Sequence, residues 1–87
     1  DKAMSALVSD LADRGMLDST LIVVLSEFGR TPNVNLYYGR DHWSRASSAL
    51  FAGGGVARGR VVGGTDKIAG DVVSNPLSPK DILATMY

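Results

Sequence analysis

Arg40-Asp41-His42-Trp43 sets a cation, a carboxylate and the only histidine of the chain just ahead of its only tryptophan. An imidazole beside a carboxylate can move protons or, when neutral, bind a divalent cation together with oxygen donors. The commoner role of a solitary histidine is a hydrogen bond to a neighbour, and Asp41 could equally bond its own loop backbone. Glu27 follows the unbroken apolar run Leu21 to Leu25 by two residues. A carboxylate there is costly to bury unless it is paired or bound to a cation. Arg30 and Arg40 offer the ion pair. A divalent metal shared by Glu27, Asp41 and His42 offers the other solution, with Glu27 and His42 expected to approach each other. The sequence leaves both open. The same two arginines could instead present forked donors to a sulfate, phosphate or carboxylate.

The glycine run Gly53-Gly54-Gly55-Val56-Ala57-Arg58-Gly59 invites comparison with dinucleotide loops, but the G-x-G-x-x-G spacing needs glycine where Arg58 stands. No helical pattern follows to aim an N-terminus at a pyrophosphate. A tight turn that needs positive φ or close backbone approach is the simpler reading.

These side chains depend on the elements around them. Met4, Leu7, Val8 and Leu11 recur at i, i+3, i+4 and i+7 and predict a helix from Lys2 to Arg14, closed by Gly15. Thr20 to Leu25 is β-branched and aliphatic without polar alternation, the pattern of a strand covered on both faces, and it is expected to receive that helix. Helix, short loop and such a strand make half of a βαβ unit, so the expected class is α/β with a largely parallel sheet. The stretch from Ser26 to Pro32 then leaves the strand where open α/β sheets place their ligands. Residues 32–45 read as a functional loop, Ser48 to Ala52 as a second strand and Val61-Val62 as a brief edge strand. Gly63 to Pro79 reads as loop. Ser78-Pro79-Lys80-Asp81 has the residues of a capping box and opens a helix that runs into Tyr87. Both ends lie inside helical patterns, so residues 1–87 are expected to be part of a longer domain, truncated at both ends.

Composition narrows the partners. Nine Lys and Arg balance nine Asp and Glu, which gives no basic face for nucleic acid or an anionic membrane. No run is long enough for a membrane span. With no cysteine, thiolate metal sites, disulfides and cysteine nucleophiles are excluded, and a metal would need oxygen and imidazole ligands.

Four ordered motifs carry a resemblance. Leu25-Ser26-Glu27-Phe28-Gly29-Arg30-Thr31-Pro32, Gly39-Arg40-Asp41-His42-Trp43, Ala52-Gly53-Gly54-Gly55-Val56 and Gly63-Gly64-Thr65-Asp66 are similar to the C-terminal motifs of the domain-of-unknown-function family 1501. That family resembles sulfatases and the alkaline phosphatase superfamily. The resemblance implies the C-terminal part of a single alkaline-phosphatase-like α/β sandwich with a mostly parallel central sheet. Its active site would bind two divalent metals, with Zn, Mn or Ca as candidates, around a Ser, Thr or formylglycine nucleophile outside this chain. No catalytic residue is then expected among these residues, and they should be inactive without the rest of the domain.

In that picture Glu27 falls at the carboxylate ligand, and Phe28 stands where a histidine ligand is expected. His42 resembles the later histidine of the other metal site. In an alternative alignment Asp41-His42 is itself the Asp-His pair, and in either alignment the two-metal site would be reduced to one metal or none. Arg30 or Arg40 would grip the oxyanion of a small-molecule or saccharide sulfate or phosphate ester. The resemblance also implies an exported or periplasmic protein. The competing reading is a degenerate member that keeps the fold as a binding or scaffold domain.

Overall fold

The computed structural model describes residues 1–87, which divide into two compact units: Asp1–Val24 with Ala49–Arg60, and Leu25–Ser48 with Val61–Tyr87. In the first unit, helix α1 spans Lys2–Asp13, close to the predicted span. Met4, Val8 and Leu11 are half-buried, while Leu7 remains 46% exposed. Gly15, at φ +68°, takes the left-handed position that ends the helix. The Gly15 amide donates to Ala12 O at 3.1 Å and the Met16 amide to Leu11 O at 2.8 Å, which is the Schellman pattern of closure.

A 3-10 turn at Leu17–Ser19 leads into strand β1, Leu21–Leu25. Strand β4, Ala49–Gly53, pairs with it. The Gly54 amide donates to Leu17 O at 3.0 Å, so the end of β4 lies at the start of β1. That order belongs to strands running in opposite directions. Gly53, at φ +79°, fits there because a Cβ would overlap the Thr20 carbonyl oxygen. The glycine run is thus a tight turn against the start of β1.

The second unit holds two small hairpins and a helix. Strands β2, Gly29–Arg30, and β3, His42–Trp43, pair antiparallel with Gly29 opposite Trp43 and Arg30 opposite His42. Strands β5, Gly64–Thr65, and β6, Val72–Ser74, pair antiparallel through a bulge at Gly64/Thr65. Their connection is a turn in which the Gly70 amide donates to Asp66 Oδ1 at 2.7 Å and Ala69 sits at φ +58°. Helix α2, Pro79–Met86, opens on the expected box: the Ser78 amide and hydroxyl both donate to Asp81 Oδ2 at 2.7 Å.

The α/β class stands, and the sheet expectation is corrected. The described sheets are two-stranded and small, and no mostly parallel sheet forms within these residues. The physical reason lies in the connections: a parallel pair needs a crossover of a dozen or more residues, whereas β5 and β6 are joined by six and β2 returns to β3 through its own loop. Val61-Val62 is not a strand; the pairing falls instead at Gly64-Thr65 and Val72–Ser74, in a stretch expected to be loop. Nor is β1 covered on both faces, since Val24 and Leu25 are 47% and 52% exposed. No hydrophobic side chain is buried, and Gly70 is the one buried residue.

Candidate functional site

Glu27, Arg30, Arg40, Asp41 and His42 all belong to the second unit and to the β2–β3 hairpin or the residues leading into it. The loop of this hairpin is built by its own polar groups. The Thr31 amide donates to Asp41 O and the Asp41 amide to Thr31 Oγ1, both at 3.1 Å, which extends the two-residue ladder. Asn35 organises the tip: its Oδ1 accepts from the Tyr37 amide at 2.9 Å and the Gly39 amide at 3.1 Å, and its Nδ2 donates to Asp41 Oδ1 at 3.0 Å. Asn suits this work because its short amide mimics a backbone turn. Tyr38 is held at φ +60°, and Leu36, Tyr37 and Tyr38 project from the tip with 94%, 91% and 95% of their surface exposed.

The register sorts the site residues into faces. Directly opposed residues of an antiparallel pair share a face, and neighbours along a strand alternate. Arg30 and His42 therefore stand together on one face and Trp43 on the other. Phe28 stacks on His42 with ring centroids 3.8 Å apart and an interplanar angle of 22°, and the Arg30 guanidinium carbon lies 5.4 Å from the Phe28 centroid. Stacking covers the face of the imidazole and leaves its nitrogens, which bond in the ring plane, at the edge. Phe28, at the position where a second histidine ligand is expected, thus stacks against His42.

The arginines are partly engaged. Arg30 Nη1 donates to Arg40 O at 3.1 Å; Arg40 Nη1 donates to Thr31 O at 2.7 Å and also to Pro32 O. Each guanidinium keeps Nε and Nη2 for another acceptor. The ion pairs of the chain are Arg14–Asp10, Arg45–Asp71 and Arg58–Asp18, so neither arginine neutralises Glu27. The ion-pair solution for Glu27 is not formed. No three carboxylate or imidazole groups converge closely enough to hold a metal ion, so Glu27, Asp41 and His42 are not gathered into one ligand set within this chain. Phe28 is the side chain against His42, and the Asp41 carboxylate is bonded to Asn35.

On the opposite face the Trp43 indole N–H donates to Gly70 O at 2.7 Å, and Arg45 pairs with Asp71 at 2.6 Å while its guanidinium carbon lies 5.7 Å from the Trp43 ring centroid. An open cleft of about 410 Å³ lies on this side, lined among others by Thr31, Asn35, Asp41, Trp43 and Asp66. Arg45, Asp66, Gly70 and Asp71 were not legible as site residues, because nothing in the local sequence links positions 43 and 70. Asn35 had a local signal, an asparagine four residues ahead of a glycine in a polar loop.

An α/β chain with a polar hairpin presenting unpaired Arg, Glu and His is the class that fold and site define. The whole chain, residues 1–87, matches the model of a family described as a protein of unknown function (DUF1501), and the chain belongs to that family. No curated protein and no solved structure matches it.

Proposed function

We propose that this chain is the C-terminal part of an alkaline-phosphatase-like domain and lends one wall to a metal-dependent hydrolase of sulfate or phosphate esters. The observation that carries the reading is the β2–β3 hairpin face. Arg30 and His42 stand side by side there, exposed and outside any ion pair, with the imidazole edge open beyond the Phe28 stack. Neither side chain is engaged in an ion pair, whereas Arg45 is held by Asp71.

The donors within the chain do not complete a metal centre. His42 and either Glu27 or Asp41 would supply part of a ligand set whose remainder comes from outside these residues. A divalent cation bound there would polarise the ester and stabilise charge on its oxygens. The protein's own groups have separate tasks. Arg30 offers Nε and Nη2 to a non-bridging oxygen of the ester, Phe28 fixes the imidazole plane, and Arg40, turned onto Thr31 and Pro32, keeps the loop in shape. A binding or scaffold domain is the second reading, favoured by the absence of a converged ligand set within these residues.

The test is titration of Zn²⁺ and Mn²⁺ into the intact natural protein and its His42→Ala variant, with hydrolysis of 4-nitrophenyl sulfate and 4-nitrophenyl phosphate as the activity readout. Loss of a direct ligand should weaken metal binding at least ~10–100-fold, the range seen when only a supporting residue is removed. Equal, stoichiometric binding by both proteins overturns the metal role of His42. Metal binding without hydrolysis of either ester favours the second reading.

A further inference from the structure

The His42 strand is only two residues long, so its ladder with β2 cannot by itself fix an imidazole. What holds it lies on the other face. Trp43, the next residue, donates its indole N–H to Gly70 O at 2.7 Å across 27 positions of sequence, and Gly70 is the one buried residue of the chain. Two residues further on, Arg45 pairs with Asp71 at 2.6 Å. The receiving loop is itself tied by the Asp66 amide to Asp71 O at 3.0 Å and by the Gly70 amide to Asp66 Oδ1 at 2.7 Å. We propose that Trp43 is a positioning residue for His42: its bond to the Asp66–Asp71 turn, backed by the Arg45–Asp71 pair, fixes the strand so that the imidazole stays stacked on Phe28 with its edge presented.

The two contacts are unequal. The Arg45 and Asp71 side chains are 61% and 43% exposed, and an exposed ion pair contributes little. The indole bond is partly buried and directional, so its loss leaves a carbonyl of the buried glycine without its partner. Trp43 stands on the face of the hairpin opposite Arg30 and His42. It acts on His42 through the backbone they share. The value of that orientation for metal binding rests on the function proposed above; the orientation itself does not.

The experiment is therefore read without metal. In the intact natural protein the His42 ring signals, identified by their loss in His42→Gln, should be shifted upfield by the Phe28 ring, and Phe28→Leu should abolish that shift. Trp43→Phe keeps an aromatic ring but removes the N–H donor together with part of the indole; it should cost most of the shift and broaden the His42 signals while the rest of the spectrum is preserved. Arg45→Gln, the milder variant, should reduce the shift less. An unchanged upfield shift in Trp43→Phe, or its absence in the native protein, overturns the proposal. If Trp43→Phe fails to fold, a urea titration of the native protein decides: loss of hydrogen-exchange protection at the Trp43 indole N–H while the His42 shift stays at full strength overturns it. In a separate arm with Zn²⁺, Trp43→Phe should lower affinity by roughly 10–100-fold, as supporting residues do. Failure of that arm alone, with the His42 shift lost as expected, tells against the metal reading and leaves the positioning role intact.

Discussion

Position 29 has no room for a side chain. A Cβ on Gly29 would overlap the carbonyl oxygen of Ala46 and crowd that of Trp43. Gly29→Ala should therefore force β2 away from the segment after β3 and destabilise the second unit by about 1–3 kcal/mol, the usual range for overpacking, measurable by urea unfolding. Asn35 is the complementary case, where removing atoms does the harm. Its amide group makes three bonds in the hairpin loop, each worth about 0.5–1.5 kcal/mol net at most in so exposed a place. Asn35→Ala should speed hydrogen exchange at the Tyr37 and Gly39 amides. Asn35→Asp keeps the acceptor for those two amides but sets a second carboxylate against Asp41, so it should protect the amides while loosening Asp41. Equal exchange in all three proteins would mean that the loop is held by its backbone alone.

Among the elements, those with a strong local signal were legible. The α1 periodicity, the Gly15 closure, the aliphatic run of β1 and the Ser78–Asp81 box each describe contacts within a few residues, and each appears near its expected place. The β2–β3 and β5–β6 pairs were not legible, since strands of two or three residues containing Gly, Thr and Arg are too short for an alternation to register. The candidate site divides the same way. Its residue types were readable at Glu27, Arg30, Arg40, Asp41 and His42, whereas the Phe28 stack and the Trp43 anchor depend on register and on long-range contact. The box on α2 has its own pH dependence. The Ser78 hydroxyl, and then its amide, hold the Asp81 carboxyl below its ordinary value of 3.8. A carboxyl lowered by folding stabilises the folded form above the unfolded value and loses that contribution as pH falls through the folded one. The helicity of Pro79–Met86 should thus decline on acidification below 3.8, and Asp81→Asn should remove that step, as followed by backbone carbon shifts of these residues.

For the molecule as a whole, the decisive fact is that neither unit buries a hydrophobic side chain. Burial of apolar surface is the main force that makes unfolding cooperative, and the urea slope scales with the surface exposed on unfolding. The 87 residues taken alone should therefore unfold gradually, with a slope below about 1 kcal/mol per M. They should also bind an apolar dye. A sharp transition with no dye binding would show that these residues sustain a cooperative fold unaided. If the chain is part of a longer domain, as proposed above, the exposed Leu36, Tyr37, Tyr38 and Val61 are the places to look for protection there. The bond from Trp43 to Gly70 adds an optical consequence. With a single indole in the chain, its fluorescence comes from one site. Emission from Trp43 should shift to longer wavelength, and its quenching by iodide should rise, at the denaturant concentration where the 43-to-70 contact opens. That makes the closure of a 27-residue segment observable in real time without any added label.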